Sequence, residues 1–318
     1  ASGKKGEFNS GNFPLVSDFS YTPTLACRGI MITHEIYHNL LFINTKGNRM
    51  QADIKLVAID LDDTLLRDDI SISDYTKEVL QKVKAQGVRI VIVTGRMFKA
   101  ARPWGMVLNL GDVPMVVYTG SMTARCESGT ILNEHLMNLN TARQILQTGR
   151  EHGWYMQSYI DDELYVPYRD DRTDSYEKNC GVTAHVLGDA FWTPEKAPLK
   201  VLVYENNPAV MEEVSRVMIE KYGDRAGYVR SSRYFFELNS KQDSKGEALT
   251  ELCAQWDIPL QNIAVFGNAQ NDVSMLKLTP WSFAVANAAE SARQAARFIT
   301  ASNNEDGVAK ALEKYILK

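Results

Sequence analysis

Lys55-Leu56-Val57-Ala58-Ile59-Asp60-Leu61-Asp62-Asp63-Thr64 is the stretch that decides how this chain folds. Four apolar residues in a row, with no polar alternation, read as a short strand covered on both faces, as strands of parallel sheets are. The run ends abruptly in a polar turn, where carboxylates at i and i+2 leave the strand together. Outward from it the pattern alternates. A helix is expected from about Asp74, with Ser73 as its N-cap, Tyr75, Val79 and Val83 on one face and Gly87 as its stop. Ile90 to Val93 and Met115 to Tyr118 read as two further apolar strands. Apolar strands separated by helices predict an α/β, doubly wound parallel sheet.

From about residue 137 to 238 the character changes. Helical stretches (Thr141 to His152, Ala209 to Tyr222) mix with strand-like pieces such as Val201 to Tyr204 and Tyr234 to Leu238. Aromatic and charged residues interleave there, which predicts an α+β unit with one face open to solvent. The core pattern returns with a helix from Lys245, the apolar strand Ile263-Ala264-Val265-Phe266 and a helix from about Asn271. The expected organisation is a core of residues 50–136 and 239–318, interrupted by an inserted α+β cap of residues 137–238. Residues 1–49 are rich in Asn, Ser, Gly and Thr and read as an extension apart from the fold, of leader or expression origin.

Bulk composition narrows the function classes. Lys and Arg number 35 against 39 Asp and Glu, a net charge of −4, so no electrostatic case exists for nucleic acid or an anionic membrane as the main partner. No apolar run approaches a membrane span. Nothing at the N-terminus has the order of a signal peptide. Cys27, Cys126, Cys180 and Cys253 are scattered without a CxxC pair. That spacing favours reduced thiols in a cytoplasmic protein over a disulfide framework or a metal knuckle.

Ligands of parallel sheets lie beyond the C-terminal strand ends, and four features fall at such ends or at the helix starts beside them. They are Asp60-Leu61-Asp62-Asp63-Thr64, Thr94-Gly95-Arg96, Ser244-Lys245-Gly246-Glu247 and Gly267-Asn268-Ala269-Gln270-Asn271-Asp272. Ser244 and Glu247 have capping-box spacing, which places Lys245 in a first helical turn. A cation there opposes the helix dipole, so a solvated lysine is the weaker reading.

With these four motifs in order, and the insertion between the second and third, residues 52–318 resemble the haloacid dehalogenase superfamily, in its Cof-type branch of capped sugar-phosphate phosphatases. The resemblance implies a Mg²⁺-dependent phosphatase of small phosphate monoesters. In it Asp60 attacks phosphorus to form an aspartyl-phosphate, and Asp62 is the general acid and base. Thr94, Gly95 and Lys245 bind the phosphoryl oxygens. Asp60, the Asp62 backbone carbonyl and Asn268 hold the cation, supported by Asn271 and Asp272. Asp63 is expected to brace the turn, and Arg96 is open between a structural and a functional role.

Three departures from the family pattern stand out. Asn268 replaces the usual aspartate of Gly-Asp-x-x-Asn-Asp and leaves the metal site one negative charge short. Tyr118-Thr119-Gly120 stands where relatives commonly carry Asn-Gly, and Ala286-Asn287-Ala288 lacks a preceding glycine. A phosphomutase, or an impaired protein that binds a phosphorylated metabolite without turning it over, are the alternatives. The expected partner is a small phosphorylated metabolite, with a monomer or weak homodimer as the assembly. Trp154, Tyr155, Tyr159 and Tyr165 are candidates either for a sugar site or for cap core. His34-Glu35-Ile36-Tyr37-His38 matches the zinc-protease pattern His-Glu-x-x-His, but no third ligand accompanies it and chance is the reading.

Overall fold

The computed structural model describes residues 53–317, so the His34–His38 motif, Cys27 and the first 49 residues lie outside the described part. Strand β1 (Leu56–Ile59) is buried at all four positions. Helix α1 (Asp74–Ala85) starts where the Ser73 hydroxyl accepts from the Thr76 N–H, and it buries Thr76, Val79, Leu80 and Val83. Tyr75 is not on that face. It stands at the margin, 36% exposed, with its hydroxyl on Glu313, because the apolar stripe is centred on Val79, Leu80 and Val83. Strand β2 (Arg89–Ile92), helix α2 (Phe98–Val107) and strand β3 (Pro114–Val117) follow. β3 turns back through β4 (Met122–Arg125) and β5 (Ile131–Glu134) as an antiparallel flap.

The inserted unit begins with α3 (Leu139–His152), then β6 (Met156–Ile160), β7 (Glu163–Val166), α4 (Asp171–Cys180), β8 (Ala184–Val186), β9 (Lys200–Tyr204), α5 (Pro208–Tyr222), β10 (Gly227–Arg230) and β11 (Phe235–Asn239). Its strands form one sheet in the order β10-β11-β9-β6-β7-β8. Side chains alternate across a strand. Met156, Val201, Val203, Phe236 and Leu238 therefore share one face, where Ala142, Ile145 and Leu146 of α3 and Met211, Val214 and Met218 of α5 cover them. Gln157, Tyr159, Lys200, Glu237 and Asn239 occupy the other. The sequence predicts that second face to be open to solvent, and it is not: all five are buried, because α4 covers Tyr159 and the loops beyond β2 and β3 meet Lys200 and Asn239. Trp154 belongs to the cap core and Tyr165 packs against it. Tyr155 and Tyr159 are fully buried as well.

The chain then returns through α6 (Lys245–Gln255), β12 (Ile263–Gly267), the short α7 (Val273–Leu276), β13 (Trp281–Ala284), α8 (Glu290–Ala295), β14 (Phe298–Ile299) and α9 (Gly307–Tyr315). The helix expected from about Asn271 is delayed, since residues 270–272 first make a tighter turn. The core sheet runs β14-β13-β12-β1-β2, all parallel, and a parallel bridge from Val93 to Val116 adds β3 at the edge. Winding proceeds from β1 to β2 and β3 on one side, then from β12 to β13 and β14 on the other. The direction reverses between β1 and β12, which opens a crevice at their C-terminal ends. The described residues belong to one compact unit, and among them no helix is long and apolar enough to cross a membrane.

Candidate active site

Register brings the motifs to one level. Ile59 stands opposite Phe266 on one side and Ile92 on the other. The loops carrying Asp60, Asn268 and Thr94 therefore leave the sheet together. The Asp60 N–H still reaches the Phe266 carbonyl at 3.1 Å, so its side chain is anchored by the sheet and only 4% exposed. The next residues depart from regular structure: Asp62 is extended, and Asp63 is left-handed at φ 54°.

Lys245 enters from the first turn of α6 and is fully buried. Its Nζ lies 2.7 Å from Asp60 Oδ1 and 2.5 Å from Asp272 Oδ1. Asp272 Oδ2 in turn accepts from the N–H groups of Asn268 and Ala269, both at 2.8 Å. This folds the loop back on itself and requires glycine at 267, where a Cβ would sit 2.5 Å from that of Asp272. Two buried carboxylates thus share one ammonium. Burial, and after it the Asp272 carboxylate, push the Asp60 carboxyl up to about 8 despite the pull of Lys245. Burial also opposes the Lys245 charge, yet Asp272 and Asp60 outweigh it and hold the ammonium above the ordinary lysine range.

Asp62 reaches outward, its side chain 53% exposed, in a two-pronged pair with Arg96. Arg96 Nε lies 2.9 Å from Oδ2, and Nη2 lies 2.6 Å from Oδ1. Arg96, left open by the sequence, therefore aims the Asp62 carboxylate. Thr94 is fully buried, and its Oγ1 accepts from the Arg96 N–H at 3.1 Å. Gly95 faces Asn271, whose Nδ2 would lie 3.5 Å from a Cβ there. Asn268 Oδ1 accepts from the Thr64 hydroxyl at 3.0 Å, and Asn271 Oδ1 is buried without a partner. Asp63 sits in the turn, where its carbonyl accepts from the Asn287 side-chain amide at 2.8 Å.

The fold gathers Asp60, Asp62, Thr94, Gly95, Lys245, Asn268, Asn271 and Asp272 around one crevice. Sequence reading flagged Tyr118-Thr119-Gly120 as a departure but missed the contacts that cover the crevice. Tyr118 leaves β3 at φ 53°, and its hydroxyl donates to Asp162 of the β6–β7 turn at 2.7 Å. Asp162 also accepts from the Phe98 and Lys99 N–H groups at 2.9 and 3.0 Å, so the cap supplies the N-terminal cap of a core helix. Lys200 and Glu237 reach the Gly95 and Thr119 loops. The signal for these two was visible, since each is a charge inside an apolar strand pattern. Surface grooves also lie elsewhere. One of about 540 Å³ runs along Arg143, Trp192, Lys221 and Tyr222, on the helical side of the cap sheet. Convergent chemistry locates the site.

Residues 57–312 match the family model described as haloacid dehalogenase-like hydrolase. YxeH of Bacillus subtilis is 30% identical over 275 residues, covering 83% of the chain and 98% of YxeH. From the same organism, YitU, named 5-amino-6-(5-phospho-D-ribitylamino)uracil phosphatase, is 26% identical and covers 84% of this chain and 99% of its own. The crystal structure of TM0651 from Thermotoga maritima superposes with a TM-score of 0.71 at 25% identity, over 82% of this chain and 97% of that one.

Proposed function

The chain belongs to the haloacid dehalogenase-like hydrolases, and on that premise we propose that it is a Mg²⁺-dependent phosphatase of small phosphate monoesters, sugar phosphates among them, working through an aspartyl-phosphate on Asp60. The observation that carries this reading is the buried Asp60 carboxylate at the switch-point crevice, 2.7 Å from the Lys245 ammonium and flanked by Thr94 and Asp62. A nucleophile, two phosphoryl-oxygen donors and a second carboxylate at one strand level are what attack, charge neutralisation and leaving-group protonation require.

The donor set fits a hard cation. Among the described residues no group of three or more His, Cys, Asp or Glu side chains is arranged to hold a metal, so amide and backbone oxygens would complete the site. Asn271 Oδ1 is a buried acceptor without a partner, Lys245 engages only Oδ1 of Asp60, and Asn268 presents an oxygen oriented by Thr64. Asp60, the Asp62 carbonyl and Asn268 would hold Mg²⁺, with Asn271 and Asp272 in support. When bound, the cation neutralises charge on the phosphoryl group and on the clustered carboxylates. The Asn268 oxygen, already a hydrogen-bond acceptor, supports amide ligation of the cation in place of the usual aspartate.

The chain's own residues divide the remaining work. Asp60 Oδ forms a bond to phosphorus as the ester oxygen leaves and takes a proton from Asp62. Asp62 then removes a proton from the water that cleaves the acyl phosphate. Arg96 keeps its carboxylate aimed through both halves. Lys245 and the Thr94 hydroxyl neutralise the equatorial oxygens, while the cap keeps out bulk water. A cytoplasmic setting, a phosphorylated metabolite as partner, and a monomer or weak homodimer complete the proposal.

The test is inorganic phosphate release from a panel of sugar phosphates and the YitU substrate, with and without Mg²⁺. Metal-dependent release that disappears in Asp60→Asn is expected. Interconversion of sugar phosphates without released phosphate would point to a mutase, and silence across the panel at high Mg²⁺ would sink the phosphatase reading.

A further inference from the structure

Two charged cap residues are buried and take no part in the chemistry above. Lys200, at the start of β9, is 2% exposed and Glu237, in β11, is 5% exposed. They pair at 3.3 Å. A buried ion pair is a poor source of stability, since desolvation offsets most of the attraction. Its position is more informative. Both side chains leave the cap sheet on the face turned toward the core. Lys200 Nζ donates to the Gly95 carbonyl at 2.9 Å and lies 4.8 and 5.8 Å from the ring centroids of Tyr159 and Tyr118. Glu237 accepts from the Ser231 hydroxyl at 2.6 Å and from the Thr119 hydroxyl at 3.4 Å.

The two peptides flanking Gly95 explain what these contacts govern. The Gly95 carbonyl and the Arg96 N–H belong to one planar group. Lys200 holds its oxygen end, and at the other end the N–H donates to Thr94 Oγ1 at 3.1 Å. The preceding peptide consists of the Thr94 carbonyl and the Gly95 N–H. Its oxygen accepts from the Thr119 N–H at 3.0 Å, and Thr119 is the residue whose hydroxyl Glu237 takes. A Cβ on Gly95 would meet Thr119 Oγ1 at 3.2 Å and Glu237 Oε1 at 3.9 Å, so the cap carboxylate closes directly over the loop.

We propose that Lys200 and Glu237 are positioning residues, carried by the cap, that set the phosphate-binding loop of the core. Lys200 turns the Gly95–Arg96 peptide so that its N–H occupies the Thr94 oxygen. The Thr94 hydroxyl must then spend its own proton outward, on a phosphoryl oxygen. Glu237 acts through Thr119 on the preceding peptide and so fixes the direction of the Gly95 N–H. Phosphate affinity and cap docking are thereby one coupled equilibrium. This rests on the reading of Thr94-Gly95 as a phosphate site.

Inorganic phosphate, titrated calorimetrically into the full chain with Mg²⁺, tests the inference without needing turnover. Lys200→Met is expected to weaken binding about tenfold, the scale of one well-placed hydrogen bond, and Lys200→Arg to recover most of that. In a Thr94→Val background the Lys200→Met loss is expected to vanish, because its route through Thr94 is gone. A merely structural lysine would cost the same in both backgrounds. Should Lys200→Met alone fail to fold, Lys200→Met with Glu237→Gln leaves no unpaired charge, and beside Thr94→Val its loss is expected to shrink to the part that runs through Glu237 and the Gly95 N–H. Wild-type affinity in these variants, or an undiminished loss beside Thr94→Val, would overturn the inference while leaving the phosphatase reading intact. A wild-type chain that takes up no phosphate would remove both.

Discussion

Replacing Asp60 with asparagine is expected to stabilise the metal-free protein, and by more as the pH rises. The structure supplies the reason. Asp60 and Asp272 share the single Lys245 ammonium at 2.7 and 2.5 Å, so one buried carboxylate lacks a partner. The Asp60 carboxyl accordingly rises from 3.8 to about 8. Between those values the unfolded chain releases the Asp60 proton and the folded chain keeps it. Because the folded state binds more protons, stability falls with rising pH across this window, with a slope of up to about 1.4 kcal/mol per pH unit. Over the window the ceiling is on the order of 5 kcal/mol. Asparagine has the same shape and no proton to lose, so the variant escapes the slope. Urea denaturation of both proteins in EDTA, from pH 5 to pH 9, measures the difference. The two curves are expected to diverge up to about pH 8 and then run level. Adding Mg²⁺ is expected to bring the wild type back toward the variant, since a cation supplies the missing positive charge. Parallel curves without metal would refute the argument that the cluster is one charge short.

Other perturbations read different parts of the site. Gly267→Ala drives a methyl to within 2.5 Å of the Asp272 Cβ and is expected to cost on the order of 2–4 kcal/mol by overpacking and by pulling Asp272 from Lys245, seen as a lowered urea midpoint and lost turnover. Asn268→Asp adds a full negative charge to the proposed metal donors and is expected to tighten Mg²⁺ at least severalfold, read by titrating activity with the metal; unchanged dependence would exclude position 268 from the metal site. Asp306 joins α1 to the C-terminal region by accepting from Arg67, Ser73 and Thr76. Burial raises its carboxyl, but these hydrogen bonds outweigh it and hold it below the usual range. Its contribution is therefore present above the unfolded value and lost as the pH falls through the folded one, so Asp306→Asn is expected to cost about 1.5–3 kcal/mol at pH 7 and progressively less near pH 3, by denaturation.

The parts legible in the amino-acid order are those that depend on local pattern. Leu56 to Ile59 and Ile263 to Phe266 are apolar at every position, and only a strand buried on both faces tolerates that. Ser73 and Ser244 mark helix starts because a hydroxyl there satisfies a free N–H. Strand ends and the helix starts beside them are where parallel sheets bind ligands, and with the family resemblance that was enough to name Asp60, Thr94, Lys245 and Asn268 before their positions were known. What pattern could not supply was partnership between distant segments. That Lys245 bridges Asp60 and Asp272 depends on α6 delivering its first turn beside β12. That Arg96 aims Asp62, and that Asp162 caps α2, depends on loops separated by 34 and 64 positions. The cap face read as solvent-facing because alternation distinguishes two faces of a sheet without saying what covers either. Lys200 and Glu237 stand out in the sequence as charges inside apolar strands, but nothing local says what they meet. Their burial follows from the closure of one unit upon another, an interaction carried by packing across the whole crevice and by no local run of residues.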